Sequence, residues 1–460
     1  MNPPRLTDAL TDVGRDTAAP PDTRFFGHPR GLATLFFTEM WERFSYYGMR
    51  AFLLYYMTAS VTAGGLGFTD AQGASAYGTY TGSAWGASII GGLIADRLLG
   101  QYRSVLWGGV LIMLGHLSLV FRPVPFFYSG LALVVAGTGL LKPSVSTLVG
   151  SLYEQDDRRR DAGFSLFYMG INSGAILGPI IAGYIAQRID WHLGFGCAAV
   201  GMALGLTQYV LDRRHLQPAI DRMAAERAAR ATQVPATAAG PSVAMSAAEW
   251  SRILAILVLF VFSTLFWAGY EQAGSTLALI GDRNTRLELF GIGFPSSWLQ
   301  SLQPIFVVLL APVFAWLWLR LGPREPSVPT KFGLGLVFMG LAFVVMMPAG
   351  AALDADTAFK ISPWPLIFWN LFSEFAELSI SPVGLSAITK LSPARLVGLM
   401  MGVWFVSLAF GNKLAGSLAA YVETMPLYTM FSSIAGVLLG AAVIMLLLVR
   451  PVRHLMGDVK

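Results

Sequence analysis

Apolar stretches long enough to cross a bilayer recur along the whole chain and are separated by short polar segments. About 20 apolar residues in a helix span the hydrocarbon core of a membrane. Twelve stretches of about this length occur, six before and six after a polar break. They lie at about residues 31–60, 73–98, 104–121, 124–148, 161–187, 191–211, 250–281, 296–321, 331–349, 361–390, 395–421 and 426–449. The pattern predicts an all-α integral membrane protein with 12 transmembrane helices in two six-helix bundles.

The polar break divides the chain into two predicted halves. It is basic at its start and then rich in alanine and proline, and it contains no apolar run of span length. We expect a cytoplasmic linker here, with a surface helix in its Ala/Arg/Glu-rich part. The predicted parts are a cytoplasmic N-tail, an N-terminal bundle, the linker, a C-terminal bundle and a cytoplasmic C-tail, at residues 1–30, 31–211, 212–249, 250–449 and 450–460.

The composition agrees with a membrane protein. Hydrophobic residues make up 55% of the 460 residues and charged residues 13%, whereas a soluble domain carries about 25% charged residues. If the N-terminus is cytoplasmic, 23 of the 32 lysines and arginines fall in cytoplasmic segments, 5 in outer loops and 4 within spans. This bias predicts that both termini lie in the cytoplasm, in a protein of the cell (inner) membrane. It also explains the net charge of +5 without a nucleic-acid partner.

Nine charged residues nevertheless lie deep within the predicted spans. Each would cost about 2.5–3.5 kcal/mol if it faced the bilayer centre. They are Glu39, Glu42, Arg43, Arg50, Lys142, Glu271, Glu374, Glu377 and Lys413. Four are positive and five negative, so we expect them to pair or to line an interior, with at least one carboxylate able to hold a proton. Glu374 and Lys413 have no predicted role beyond a structural pair.

The first span has the densest set of these charges. Positions 39, 42, 43, 46, 47 and 50 follow the three- and four-residue spacing of one helix face. This stripe holds two glutamates, two arginines and two tyrosines. A helix held to its neighbours by ion pairs would explain one glutamate but explains the whole stripe poorly. The pattern therefore favours the wall of a polar cavity.

Several motifs within the spans resemble one family of transporters. Glu39–Gly48 reads EMWERFSYYG and Phe167–Gly174 reads FYMGINSG. Both resemble signatures of the proton-dependent oligopeptide transporter family, which belongs to the major facilitator superfamily. Further similar segments are Gly139–Ser146, Phe266–Gln272, Glu374–Ser386 and Met401–Trp404, and the loop Gly92–Arg103 resembles a superfamily loop motif. The resemblance runs from about residue 30 to 420 and implies the major facilitator fold, with a ligand site near the midplane between two bundles.

This resemblance implies a proton-coupled symporter that imports di- and tripeptides by alternating access. A zwitterionic peptide would be oriented by a cavity with one positive and one negative wall. The first half supplies Arg43, Arg50 and Lys142, and the second half supplies Glu271 and Glu377. The charges within the spans therefore agree with the substrate that the resemblance implies.

The resemblance also implies individual contacts to the peptide. Arg43 and Lys142 would bind its carboxylate, because Arg can bind both oxygens and Lys provides a point charge. Glu377 and Asn172 would bind its amino group, and Gln303 replaces the family's usual asparagine in that pocket. The aromatic residues implied in binding, for which ordinary helix packing is the alternative, are Tyr46, Tyr47, Tyr80, Trp267 and Trp404.

Proton coupling and gating are implied in the same way. The residues implied in proton coupling are Glu39, Glu42, Arg43 and Glu271. Two ion pairs, Arg50 with Glu271 and Lys142 with Glu377, would close the outer side when the cavity faces inward. Protonation of a glutamate neutralises it and releases its partner, so proton and cation compete for the same carboxylate.

Other function classes remain as alternatives. A related transporter could carry another small solute, such as nitrate or a glycosylated metabolite, and a drug exporter would show broader apolar pockets. A membrane enzyme is disfavoured, because the five histidines are scattered, one cysteine is present, and neither an HExxH motif nor a glycine-rich phosphate loop occurs. We therefore expect peptides, protons and the lipid bilayer as partners of a monomer without a metal or cofactor.

Overall fold

The computed structural model describes residues 22–154, 157–233, 245–393 and 396–457. Most of the predicted N-tail, residues 234–244 of the predicted linker and the last three residues of the C-tail lie outside these ranges. Within them, the chain is folded almost entirely into helices.

The first half forms six long helical segments. Its helices are α1 (Arg30–Thr58), α2 (Asp70–Ile94), α3 (Gln101–Leu119), α4 (Val124–Ser151), α5 (Arg160–Gly178), α6 (Tyr184–Arg188) and α7 (Trp191–Leu211). A π-helical turn at Pro179–Gly183 joins α5 to α6 in one segment. The start of α2 is fixed by a capping box, in which Thr69 and Gln72 bond to each other's backbone N–H groups. Helix α8 (Arg213–Gln233) follows within the predicted linker.

The second half forms six more segments. Its helices are α9 (Ala247–Tyr270), α10 (Thr276–Arg283), α11 (Leu302–Leu321), α12 (Val328–Ala355), α13 (Trp364–Leu391), α14 (Val397–Ala419), α15 (Leu427–Leu447) and α16 (Val449–Met456). A 3₁₀ turn at Glu271–Gly274 separates α9 from α10 within one segment. Between α10 and α11 lie a short antiparallel hairpin, β1 (Glu288–Leu289) and β2 (Ile292–Gly293), and a 3₁₀ segment at Ser296–Ser301.

Most of these segments are suited to a bilayer. In the described ranges, nine of the long helical segments are long and apolar enough to cross a membrane. Among the twelve segments that correspond to predicted spans, the three that do not meet this condition are α1, α2 and α3, and α1 carries five charged residues. The prediction of 12 spans agrees with the twelve long segments but stays a prediction for these three.

The two halves meet mainly along α2 with α14 and along α5 with α11. The first contact is close because glycines face each other. A Cβ atom on Gly416 would lie 2.8 Å from the Cα of Gly78 and 2.5 Å from the carbonyl oxygen of Ala74. The space that remains between the halves contains the candidate site.

Helix α8 identifies one face of the molecule. It packs beside the start of α1, where Leu216 is fully buried against the first half. On the opposite face, here called the far face, side chains join the halves. Arg283 donates to both carboxylate oxygens of Asp70 at 2.5 and 2.7 Å, and Gln187 donates to Asp282 at 3.1 Å. The halves are therefore bonded to each other at the far face.

Candidate functional site

A cavity of about 290 Å³ lies between the two halves. Its size is near the lower end of the roughly 300–1,000 Å³ of small-molecule sites. Eleven of the predicted site residues line it: Glu39, Arg43, Tyr47, Arg50, Lys142, Asn172, Trp267, Glu271, Gln303, Glu377 and Trp404. The structure thus brings together residues that are up to 365 positions apart in the chain.

Helix α1 contributes a compact group of three charges. The Nε atom of Arg43 lies 3.1 Å from Glu39 Oε1 and also contacts Glu42. All three side chains are buried. Among the described residues, Arg43 Nη2, Glu39 Oε2 and Glu42 Oε1 have no hydrogen-bond partner. A guanidinium has five N–H donors, so Arg43 keeps donor capacity for a bound anion.

Arg50 links α1 to the second half. Its guanidinium contacts Glu271, and its Nε donates to the hydroxyl of Tyr77 at 2.6 Å. The ring of Tyr47 lies 5.9 Å from the Arg50 Cζ atom, within the range of a cation–π interaction. The predicted pair of Arg50 with Glu271 is present in this conformation, and its role in gating stays a prediction.

Lys142 is placed differently from the two arginines. Its Nζ atom lies 3.2 Å from the ring centroid of Trp85 on α2. Within the described ranges, no carboxylate oxygen lies within 4.0 Å of Lys142, so the predicted pair with Glu377 is not formed in this conformation. The Lys142 ammonium group has three N–H donors, so it can still donate to a bound carboxylate. Trp85 was not predicted, because it lies outside every motif.

The second half supplies the acidic wall. The hydroxyl oxygen of Tyr270 lies 2.6 Å from Glu377 Oε2 and 2.9 Å from Glu374 Oε1. In the described part of the chain, Trp267 Nε1 and Gln303 Nε2 are buried without a hydrogen-bond partner. Both therefore provide free donors among the residues that line the cavity. Tyr270 was missed as a site residue, although it lies within the motif at residues 266–272.

Three predicted site residues lie outside the cavity lining. Tyr46 and Tyr80 pack against each other with ring centroids 6.4 Å apart, and Glu42 is fully buried next to Arg43. On α1, Tyr46 is directed toward Tyr80 of α2, whereas the next residue, Tyr47, lines the cavity. The substrate contacts of Tyr46 and Tyr80 stay predictions.

Three further positions complete the comparison with the predicted site. Tyr168, within the motif Phe167–Gly174, lines the cavity, and its carbonyl oxygen accepts a hydrogen bond from Asn172 at 2.9 Å. Glu374 and Lys413 do not pair, because Lys413 donates to the hydroxyl of Thr79 at 2.7 Å. The motif could have indicated Tyr168, whereas nothing local indicates the partner of Lys413.

A charged cavity between two halves of a helical membrane protein is typical of secondary transporters. Comparison with known proteins confirms this class and excludes an enzyme. A protein-family model described as the POT family matches residues 102–224 and 218–434 of this chain. The chain belongs to this family, the proton-dependent oligopeptide transporters.

Two relatives and one solved structure illustrate the similarity. An uncharacterised transporter of Bacillus subtilis, YclF, is 39% identical over 95% of this chain and 97% of its own. A di-/tripeptide transporter of Lactococcus lactis is 36% identical over 95% of this chain and 98% of its own. A crystal structure of a peptide transporter in complex with alafosfalin is 40% identical, has a TM-score of 0.85, and covers 95% of this chain and 98% of its own. The all-α membrane protein with the major facilitator fold is therefore confirmed.

Proposed function

We propose that this protein is a proton-coupled symporter that imports di- and tripeptides by alternating access. The observation that carries the proposal is the division of charge across the cavity. Arg43 and Lys142 lie on the first half, and Glu377 lies on the second. Among the described residues, Arg43 Nη2 has no hydrogen-bond partner and Lys142 has no carboxylate partner. This arrangement suits the carboxylate and ammonium ends of a peptide, and the name of the Lactococcus lactis relative supports the same substrate class.

The group formed by Glu39, Glu42 and Arg43 supports proton coupling. Two buried carboxylates face one guanidinium, so the group carries one surplus negative charge when both are ionised. A proton on either carboxylate would neutralise this surplus and weaken the contact of that carboxylate with Arg43, which would then be more available to the peptide carboxylate. A proton that crosses the membrane with the field gains about 2.3 kcal/mol per 100 mV, which can drive accumulation of a neutral zwitterion.

Alternating access requires that the far-face bonds break and reform. Arg50 with Glu271 and Asp70 with Arg283 join the halves in the present conformation. In the outward-facing conformation these pairs would separate, and protonation of Glu271 would favour that separation by removing its charge. The proton would then control access as well as binding.

We place the protein in the cell (inner) membrane with both termini in the cytoplasm. The support is the excess of lysine and arginine in the segments on the α8 side. The far face would then be extracellular, and the cavity in this conformation would be closed toward the outside. Protons, bilayer lipids and peptides are the proposed partners of a monomer.

Uptake of a labelled dipeptide into proteoliposomes tests the function. We expect accumulation when an inward proton gradient is imposed and no accumulation after an ionophore collapses it. Glu42→Gln and Arg43→Ala should each abolish concentrative uptake, although each variant is still inserted into the membrane. The matched control is Glu288→Gln, which lies on an exposed hairpin and should accumulate peptide as the wild type does. Wild-type accumulation by either variant would refute the coupling role of α1. Uptake of nitrate but not of peptide would favour the alternative substrate class.

A further inference from the structure

Glu374 is a fully buried carboxylate to which the family motifs assign no function. It lies on α13 one helical turn before Glu377, so the two side chains share one face. A single hydroxyl, that of Tyr270 on α9, contacts both carboxyl groups at 2.9 and 2.6 Å. The second oxygen of Glu374 has no hydrogen-bond partner among the described residues. We call these three residues the carboxyl pair and its tyrosine.

A count of hydrogens limits the charge of this group. A phenol has one O–H donor, and an ionised carboxylate can only accept. With both carboxylates ionised, Tyr270 could donate to one of them, and its other contact would place two oxygens together without a hydrogen. One proton on either Glu374 or Glu377 removes this conflict, because that carboxyl donates to the phenol while the phenol donates to the other. The geometry therefore fits a pair that holds one proton.

The surroundings of the carboxyl pair provide no fixed positive charge. Among the described residues, neither carboxylate has a lysine, arginine or histidine nitrogen within 4.0 Å. The titratable groups that interact with the pair from neighbouring elements are Tyr270, Glu271, Tyr168 and Tyr47. Two unpaired buried anions would each cost several kcal/mol, so neutralisation has to come from mobile species.

Charges on the other helices that pack near α13 are bonded elsewhere. On α12, Lys331 pairs with Glu325, and Asp354 accepts from the backbone at the start of α15. On α11, Arg320 lies over the Trp316 ring, and on α14, Lys413 donates to Thr79. None of these groups compensates the pair.

We propose that Glu374 and Glu377 form one site that is filled by one proton and one substrate ammonium group. This inference rests on the proposed function and extends it. Two carboxylates carry two negative charges, and a proton together with an ammonium neutralises both. Each ligand neutralises one of the two charges, so the buried site is neutral only when the proton and the peptide amino group are bound together.

The variant Glu374→Gln tests whether this proton is transported. The amide can still bond to Tyr270 but cannot ionise, so the ammonium alone would neutralise the site. We expect the number of protons moved per peptide to fall by one. This number is obtained from the ratio of internal to external peptide at which net uptake stops, measured at a series of imposed pH gradients. Relative to the wild type, this limiting ratio should be tenfold lower for each unit of imposed pH difference, because each cotransported proton contributes a factor of ten per pH unit.

The controls separate this inference from the proposed function. Glu288→Gln makes the same chemical change at an exposed position and should keep the wild-type ratio. A wild-type ratio in Glu374→Gln would overturn the paired site while leaving peptide symport intact. If the wild type accumulates no peptide, the proposed function fails, and the binding measurement that follows still decides the paired site.

A binding measurement on the wild-type protein needs no variant. Calorimetry in buffers of different ionisation enthalpy counts the protons taken up when a peptide binds. An N-acetylated dipeptide has no ammonium, so two protons would have to fill the site. At a pH where both carboxyl groups of the unfilled pair are ionised, we expect binding of the acetylated dipeptide to take up one more proton than binding of the unmodified dipeptide. Equal proton uptake, or no binding of the acetylated peptide even at low pH, would overturn the proposal.

Discussion

Three cations of the first half, Arg43, Arg50 and Lys142, line one cavity but have different surroundings. Arg43 faces two carboxylates, Arg50 faces one carboxylate and a phenol, and Lys142 faces an indole ring. Since a cation without an anion partner is the most available for an incoming carboxylate, Lys142 is the strongest candidate for an ion pair with the peptide. Its separation from Glu377 in this conformation agrees with that role.

At the residue scale, we therefore expect Lys142→Ala to lose counterflow exchange of labelled dipeptide. A hydrogen bond to a charged group contributes about 1.5–3 kcal/mol, so peptide affinity should fall by about 10- to 100-fold. Counterflow needs no proton gradient, so the measurement isolates substrate handling from coupling. Lys390→Ala, at an exposed position near the end of α13, should exchange normally. Normal exchange in Lys142→Ala would contradict a substrate role for this residue.

At the scale of elements, the contact of α2 with α14 depends on the absence of side chains. Gly78 and Gly416 let the two backbones approach so closely that a Cβ on Gly416 would lie 2.5 Å from a carbonyl oxygen. Real Cβ atoms do not make such contacts, so either helix would have to shift. This contact joins the first half to the second, so its geometry affects how the two halves can move relative to each other.

We expect Gly416→Ala to destabilise this contact by about 1–3 kcal/mol, the usual cost of overpacking. The variant should show a lower melting temperature and slower counterflow, because the present arrangement of the halves becomes less favourable. Gly440→Ala is the matched control, since a Cβ there would meet no atom within 4 Å. Equal melting temperatures and equal counterflow rates in the two variants would show that the close approach affects neither stability nor transport.

At the scale of the whole molecule, closure of the far face depends on a few polar bonds. Asp70 receives two bonds from Arg283, Arg50 contacts Glu271, and Gln187 bonds to Asp282. Each pair joins one half to the other, so each stabilises this conformation and not the one in which the halves separate. A ligand or proton that weakens such a pair shifts the population toward the other conformation.

Asp70→Asn should shift this equilibrium toward the open far face, because the charge-assisted pair of bonds to Arg283 is lost. A cysteine at the buried Ser297, in a background with Cys197→Ala, reports the opening through its reaction with a membrane-impermeant thiol reagent added to cells. We expect several-fold faster labelling in Asp70→Asn than in the parent. Glu288→Gln should label at the parent rate, and an unchanged rate in Asp70→Asn would argue against control by this pair.

The helical architecture and much of the cavity could be predicted from the sequence. Hydrophobic runs repeat at the length that a bilayer requires, and polar positions in α1 repeat with the helix period. These are local properties of consecutive residues, so they need no knowledge of packing. The motifs also predicted Asn172 and Glu377 as site residues. Each motif lies within a single helix, so its residue spacing is likewise a local property. Glu39, Arg43 and Arg50 accordingly line the cavity that the helix period predicted.

The partners of these residues were decided by the tertiary structure alone. Arg50 meets a carboxylate 221 positions away, and one hydroxyl of α9 contacts both carboxyl groups of α13. Tyr80 lies outside the cavity lining, and Lys142 faces Trp85 where an ion pair was expected. Such outcomes depend on the rotation and approach of whole helices. Many arrangements of twelve helices satisfy the same local pattern, and only the packed structure selects among them.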